Sequence, residues 1–552
     1  MRPALRLLAA PVSGALLAAA FPALDLGPLA LVALVPLLLV VETARPRRAA
    51  ALGYVAGLAF FGLHLLWIAQ FLSWTGAVAW LAWGALSAIQ AAAFAAFFAL
   101  VPATRPLGGW RLLVLPAAWA VLELLRAHHP LGGFPWGLLA LSQHDAGLLL
   151  PLARVVGGVG LAAVIVAVNL AVAFWVRALW SGAQEESRWR RPEGSGEPQG
   201  GAPVRWVPLV GLPLLVAGLL GARLVVPGPP APSGPALDVV VVQAGLRGGH
   251  GLDQGQTTEQ VFDNHVRRTE TLALTPGDRP DLVVWGEGAA DADPLSNPDR
   301  QAAVARAAGA AGAPILLGAT TRVDQDHRAT EGLLYTPEGQ LADRYQKRRL
   351  VPFGEFVPLG SVLGRLIPAT REGVPYDKVP GERLEPLLID GVPVGPLICW
   401  ESAYPGDARQ LTRDGSQVLL IMTNNASFGT GAGPRQHLAA GQLRAVETGR
   451  TIVQAAVTGI SAVIDPGGRT SSETGLYQDT VIRVQAEPRS GTTPYVRWGR
   501  MLEAGLVGVT VGGLALAGAL WWRRRARAGQ PVPAAEPAPA RWDVVPPVGG
   551  NS

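Results

Sequence analysis

The sequence predicts a polytopic α-helical membrane protein with one layered α/β domain inserted ahead of its last helix. Three observations carry this. Apolar residues are 49% of the 552 and charged residues 16%, with the apolar excess concentrated in the first 225 residues and in a stretch near the end. Between those regions short β-branched runs alternate with helical patterns, as in a sandwich of buried sheets and covering helices. The arginines fall mainly in alternate loops, as they do in a chain that crosses a membrane repeatedly.

Candidate spans lie near 4–22, 24–42, 51–70, 77–102, 110–126, 157–178 and 206–226, with an eighth near 503–522. Each approaches the ~20 residues needed to cross a ~30 Å hydrocarbon core. The fifth is the most polar, since it carries Glu123 and Arg126. Arg2 and Arg6 before an apolar run give the first span the look of a signal peptide. It is read as a retained helix, because six further spans follow it before the insert.

The formal charge of +5 reports topology, not a nucleic-acid partner. Arg45, Arg47 and Arg48 follow span two, Arg105 and Arg111 separate spans four and five, and Arg177, Arg188, Arg190, Arg191 and Arg205 lie between spans six and seven. Arg523, Arg524, Arg525 and Arg527 follow the last span, whereas the alternate loops hold little beyond Arg126, Arg154 and Arg223. The positive-inside rule then places both termini in the cytoplasm and the insert outside. The expected organisation is a membrane domain over 1–226 with seven helices, a catalytic domain over 227–500, a last helix over 501–525 and a disordered cytoplasmic tail over 526–552.

Within the insert, 239–242, 282–285, 315–318, 394–399, 418–422 and 452–457 read as strands, and 257–274, 299–311 and 435–449 as helices. Chemistry in α/β sheets gathers at strand ends, and these strand ends bear Glu287, Cys399 and Asn424-Asn425. Lys347 follows a further strand expected at 341–345. Cys399 is the one cysteine of the chain, so it makes no intramolecular disulfide and is either a reactive thiol or an inert core residue. A carboxylate can take the thiol proton during attack, and an ammonium with a backbone N–H can stabilise the oxyanion that results. Singly, each residue has a plainer reading: packing for Cys399, a surface acid for Glu287, and a solvated basic face for Lys347 beside Arg348 and Arg349.

Together, Trp285-Gly286-Glu287, Tyr345-Gln346-Lys347 and Cys399-Trp400-Glu401 resemble the Glu-Lys-Cys signature of the nitrilase superfamily. The stretch from Lys347 through Val351-Pro352-Phe353-Gly354-Glu355-Phe356 to Leu359 resembles bacterial apolipoprotein N-acyltransferases more specifically. So do Phe21-Pro22, the block Glu123 to Arg126, Gly133-Phe134-Pro135-Trp136, Ser142-Gln143, Gly433-Pro434-Arg435-Gln436-His437 and the run Arg444 to Arg450. The resemblance implies an α-β-β-α nitrilase-like sandwich carried by about eight transmembrane helices. It implies Cys399 as nucleophile, Glu287 as general base and Lys347 as stabiliser of the tetrahedral intermediate, with Glu355 and Glu401 in support. The implied reaction moves an acyl chain from a phospholipid to the α-amino group of a diacylglyceryl-cysteine on an apolipoprotein, through a thioester. The enzyme would be a monomer in the bacterial cytoplasmic membrane, with its catalytic domain on the extracytoplasmic side and no cofactor. Apolar residues after Lys347 (Phe353, Phe356, Leu359, Val362, Leu363 and Leu366) would admit lipid or else pack as a loop.

Two departures stand out: Gly286 and Gly288 flank Glu287 where the family carries Pro and Thr, and Ser427 stands where it carries an aromatic residue. The alternatives are a membrane-tethered amidase with water as acceptor and a non-catalytic partner of a polyprenyl-phosphate mannosyltransferase. Asp291-Ala292-Asp293, the glycines of 429–433 and His128-His129 lack the residues that a glycosyltransferase, a phosphate loop or a metal site requires.

Overall fold

The computed structural model describes residues 3–189, 206–245, 258–272, 279–291, 293–360, 371, 374–425 and 428–528. The N-terminal part is helical: α1 (Pro3–Ala19), α2 (Val35–Val41), α3 (Pro46–His64), α4 (Leu66–Phe71), α5 (Ala77–Ala103), α6 (Arg111–His128), α7 (Ala153–Trp189) and α8 (Trp206–Val225). Four stretches among the described residues are long and apolar enough to cross a membrane: Ala77–Ala103, Arg105–His128, Leu150–Trp180 and Pro494–Ala526. Shorter apolar helices occupy Arg6–Ala19, Gly27–Val41 and Val216–Val225.

The span expected at 24–42 is not one continuous helix. A 3-10 turn at Gly27–Leu31 precedes α2, and Pro28 and Pro36 sit in the first turns of the two pieces, where a proline starts a helix and cannot continue one. Asn169 of α7 repairs the break: its Oδ1 accepts from Leu34 N at 2.9 Å and its Nδ2 donates to Ala30 O at 2.8 Å. In lipid such freed backbone groups must find protein partners. The span at 51–70 is likewise divided, at Leu65, into α3 and α4. Gly53 and Gly57 on α3 meet Phe94, Phe98 and Ala91 of α5 so closely that a Cβ at either would lie under 3.0 Å from them, the small-residue packing by which membrane helices associate.

The insert contains β1 (Leu237–Gln243), α9 (Thr258–Glu270), β2 (Leu282–Ala290), α10 (Pro298–Ala311), β3 (Ile315–Arg322), β4 (His327–Tyr335), β5 (Leu341–Gln346), β6 (Asp377–Lys378), β7 (Leu387–Ile389), β8 (Val392–Ile398), α11 (Pro405–Arg413), β9 (Val418–Thr423), α12 (Gly433–Thr448), β10 (Thr451–Ala456), β11 (Ala462–Ile464), β12 (Thr470–Ser471) and β13 (Thr480–Ala486). A long helix, α13 (Pro494–Ala528), closes the chain. One sheet has the order β13-β1-β2-β3-β4-β5 with β6 paired to β4, and the other β12-β11-β10-β9-β8-β7.

Alternate residues of these runs divide between two cores, as the two-residue period of a strand requires. Val239, Val241, Val284, Leu316, Val394, Leu420 and Val453 meet between the sheets. Val240, Val283 and Leu317 turn outward onto α9 and α10, and Leu397, Leu419 and Ile452 onto α11 and α12. The layers are therefore α-β-β-α. Helix α12 also touches the membrane helices on its far side, where Ala440, Leu443 and Val446 join the core of α1 to α7.

Candidate active site

Local chain geometry brings the three sequence-derived residues together. Glu287 sits within β2, not beyond its end as expected: the strand continues to Ala290 with a register shift against β3 between Trp285 and Ala290. Such a bulge re-aims a side chain. Lys347 follows β5 directly, and its N–H donates to Thr330 O at 2.8 Å. Cys399 begins the 3-10 turn after β8 at a φ of +49°, a left-handed conformation that costs a non-glycine residue roughly 1 kcal/mol or more. The Ser402 hydroxyl donates to Cys399 O at 2.9 Å, and His437 Nε2 lies at the same distance from that carbonyl.

The Lys347 ammonium is 2.7 Å from Glu287 Oε1 and 3.0 Å from Glu355 Oε2, with 1% of its side chain exposed. Burial favours its neutral form, but Glu287, Glu355 and Cys399 outweigh burial and keep it protonated well above the ordinary lysine range. Burial and the Glu287 carboxylate push the Cys399 thiol up to about 12 against the pull of Lys347, and the Thr423 hydroxyl is in hydrogen-bonding contact with it. At neutral pH the resting sulfur is therefore a thiol. For such a thiol to act as a nucleophile, its proton would have to leave during attack, to a base already in place.

Glu355 and Glu401 hold the frame. Glu355 Oε2 accepts from Val351 N at 2.8 Å, and its Oε1 from Thr330 Oγ1 at 3.1 Å and Lys378 Nζ at 3.3 Å. Glu401 is fully buried and ties the Lys347 strand end to the Cys399 turn, accepting from Tyr345 OH, Arg348 N and Arg349 N on one side and Ile398 N on the other, at 2.6 to 3.2 Å. Burial raises its carboxyl, the Ile398 and Arg348 N–H groups pull it back, and it rests at about 7.

The turn is also docked to the membrane part. Trp400 stacks on Trp136 at 5.3 Å, and Trp136 lies parallel to the His437 ring at 6.2 Å. Trp136 Nε1 donates to Gln436 Oε1 at 2.5 Å, while Arg126 of α6 donates to the carbonyls of Trp136 and Gly137, both at 2.7 Å. Trp67, Phe71 and Phe428 extend this aromatic wall.

Comparison with known proteins matches two parts of the chain. The family model of the apolipoprotein N-acyltransferase N-terminal domain matches residues 13–171, and that of carbon-nitrogen hydrolases matches residues 299–493. The apolipoprotein N-acyltransferase of Geobacter metallireducens is 31% identical over 94% of this chain and 95% of its own length. The chain belongs to the apolipoprotein N-acyltransferase family. The apolipoprotein N-acyltransferase of Azotobacter vinelandii is 32% identical over 95% of this chain and 96% of its own length. Among solved structures, an amidase from Nesterenkonia sp. is 19% identical over 48% of this chain and 94% of that one, with a TM-score of 0.33.

Gly286 and Gly288, the two glycines that flank Glu287, are both constrained by the backbone around them. A Cβ at Gly286 would lie 2.7 Å from Thr423 O and 2.8 Å from Val457 N, and Gly288 has a φ of +79°. Gly286 is thus gripped between the sheets, and the glycines fit the bulge that carries Glu287. The departure at Ser427 lies outside the described residues, as do Val362, Leu363 and Leu366 of the expected apolar arm. Phe353 and Leu359 of that arm are exposed. Asp291 and Asp293 tie their loop to β3: Asp291 accepts from Thr320 Oγ1 at 2.7 Å, and Asp293 from Arg322 N at 3.0 Å. No group of three His, Cys, Asp or Glu side chains among the described residues is arranged to hold a metal. Sequence reasoning missed Lys378, Thr330 and Thr423; the first two meet only through the short pairing of β6 with β4.

Proposed function

We propose that Cys399, Glu287 and Lys347 carry out a two-step acyl transfer at a membrane surface. In the first step Glu287 takes the thiol proton as Cys399 Sγ attacks the sn-1 ester carbonyl of a phospholipid such as phosphatidylethanolamine. Lys347 stabilises the oxyanion. The intermediate collapses to a thioester, and the proton on Glu287 passes to the departing lysophospholipid alkoxide. In the second step the free α-amino group of a diacylglyceryl-cysteine attacks the thioester, the amide forms, and the amine proton returns to Cys399 through Glu287. Glu355 steadies Lys347, and Glu401 sets the distance between the lysine strand and the nucleophile turn.

The observation that carries the reading is the Lys347–Glu287 pair at 2.7 Å, electrostatically coupled to a thiol whose own turn packs on the membrane helices through Trp400 and Trp136. Both proposed substrates are anchored by acyl chains, and each CH₂ drawn into water costs about 0.8 kcal/mol. A site held against the bilayer avoids that extraction. The proposed arrangement is a monomer in the cytoplasmic membrane with eight crossings, seven within 1–226 and one within 501–525. The insert 227–500 faces the extracytoplasmic side, in line with the arginine distribution.

The test is incubation of the purified full chain with phospholipid carrying a labelled sn-1 chain. A hydroxylamine-labile label is expected on Cys399, persisting until an N-terminal diacylglyceryl lipopeptide is added and then moving to its amine. Release of labelled fatty acid into water at the same rate without the lipopeptide would make the protein a hydrolase. No label on the folded wild-type chain would refute both.

A further inference from the structure

One cation beside the site has no part in that reaction. Lys378, on β6, places its Nζ 2.7 Å from Thr330 Oγ1 and 3.3 Å from Glu355 Oε1. Its own N–H donates to Glu355 O at 2.7 Å, so backbone and side chain converge on the same acid. The order across the site is Lys378, Glu355, Lys347, Glu287, with charges alternating in sign and three of the four side chains at 13% exposure or less. We propose that Lys378 is a positioning residue: by balancing the charge of Glu355, it leaves the Lys347 ammonium to Glu287 and to the reacting carbonyl.

The argument is one of charge, and it rests on the acyl-transfer reading above. One buried ammonium between two carboxylates leaves a net negative charge, and the cheapest relief is a proton on one acid. A proton on Glu287 removes the base. A proton on Glu355 removes an acceptor that holds Lys347 in place. With Lys378 present the four charges sum to zero, and although burial pushes Glu355 up, Lys347 and Lys378 outweigh it and hold it at about 2. The neighbouring charges are otherwise engaged. Arg328, opposite Lys378 on β4, lies over the Tyr376 ring, and Asp377 is paired with Arg371 at 2.9 Å. Among the described residues no third cation lies within ion-pair distance of Glu355.

The test uses the full chain in phosphatidylethanolamine nanodiscs, with Lys378→Met, which removes the charge, and Lys378→Arg, which keeps it. The rate of thioester formation against pH should show the acidic limb of Lys378→Met moved up by about one pH unit, roughly tenfold in rate on that limb, with recovery at higher pH and a wild-type profile for Lys378→Arg. Alkylation of Cys399 by iodoacetamide, which needs no acyl donor, should slow in Lys378→Met and not in Lys378→Arg. If wild type forms no thioester the acyl-transfer reading fails, and the alkylation rates still judge Lys378. If the Met variant does not fold, Lys378→Gln replaces it, since it removes the charge and keeps a polar donor. An unmoved limb with unchanged alkylation, a shift equally large in the Arg variant, or a loss uniform across pH would each overturn the assignment.

Discussion

Glu401 shows how much of the site depends on one fully buried side chain. Four donors converge on its carboxylate from two segments well separated in sequence, with Arg348 N at 2.6 Å and Ile398 N at 2.8 Å. Glu401→Gln keeps the volume but turns an NH₂ toward donors, so at least one buried N–H loses its acceptor, at about 1–3 kcal/mol. For a domain of this size that is a fall in melting temperature of roughly 3 °C or more, with a further loss of thioester formation as Lys347 and Cys399 move apart. Thermal unfolding followed by labelling of Cys399 at a temperature where the variant is still folded measures both, and wild-type values for both would show that the clamp is dispensable. The roles proposed for Glu287, Lys347 and Cys399 are legible in sequence because residue type, order and flanking motif travel together. Lys378 is not, because its approach to Glu355 is created by a two-residue strand in an otherwise irregular segment.

At the scale of elements, the strands most easily read are those buried on both faces. β1, β9 and β10 are nearly continuous β-branched or aliphatic runs; the structure extends β1 by three residues and β9 by one beyond the expected limits, and shifts β10 by one residue toward the N-terminus. β4 and β13 escape detection because they carry His327, Arg328 and Glu331, or Arg483, and read as polar. The helical break at 32–34 is hidden for the opposite reason: its sequence is wholly apolar, and only the flanking Pro28 and Pro36 mark it before the contact with Asn169 is seen. The loop bearing Trp136 belongs to this scale too, since Arg126 anchors it from below while Trp136 supports Trp400 from above. Trp136→Ala removes a buried ring, a change worth about 3–5 kcal/mol, from beside the strained Cys399 turn. We expect at least tenfold slower thioester formation in a chain that still inserts into membranes. Trp136→Phe, which keeps the ring face and loses the bond to Gln436, should fall between. Single-turnover labelling distinguishes these outcomes, and an Ala variant as fast as wild type would disconnect the loop from the chemistry.

At the scale of the whole molecule, the catalytic insert is fixed to the membrane part at both ends and in the middle. Arg409 of α11 pairs with Glu503 of α13 at 2.7 Å, and His144 bridges Asp25 to Gln442 of α12 at 2.8 Å on each side. These contacts hold the insert on one side of the bundle, and the arginines at 523–527 lie at the far end of α13, beyond an apolar stretch long enough to span the bilayer. A chain with a single cysteine makes the resulting topology simple to test. In a Cys399→Ser background, Glu338→Cys lies on an exposed turn of the insert and Ala526→Cys among the arginines at the exposed end of α13. In intact spheroplasts a membrane-impermeant maleimide should label the first and spare the second, and permeabilisation should make both reactive. The opposite pattern would put the thiol in the cytoplasm, away from the outer-leaflet lipid that the proposed reaction consumes, and would reverse the meaning of the arginine distribution.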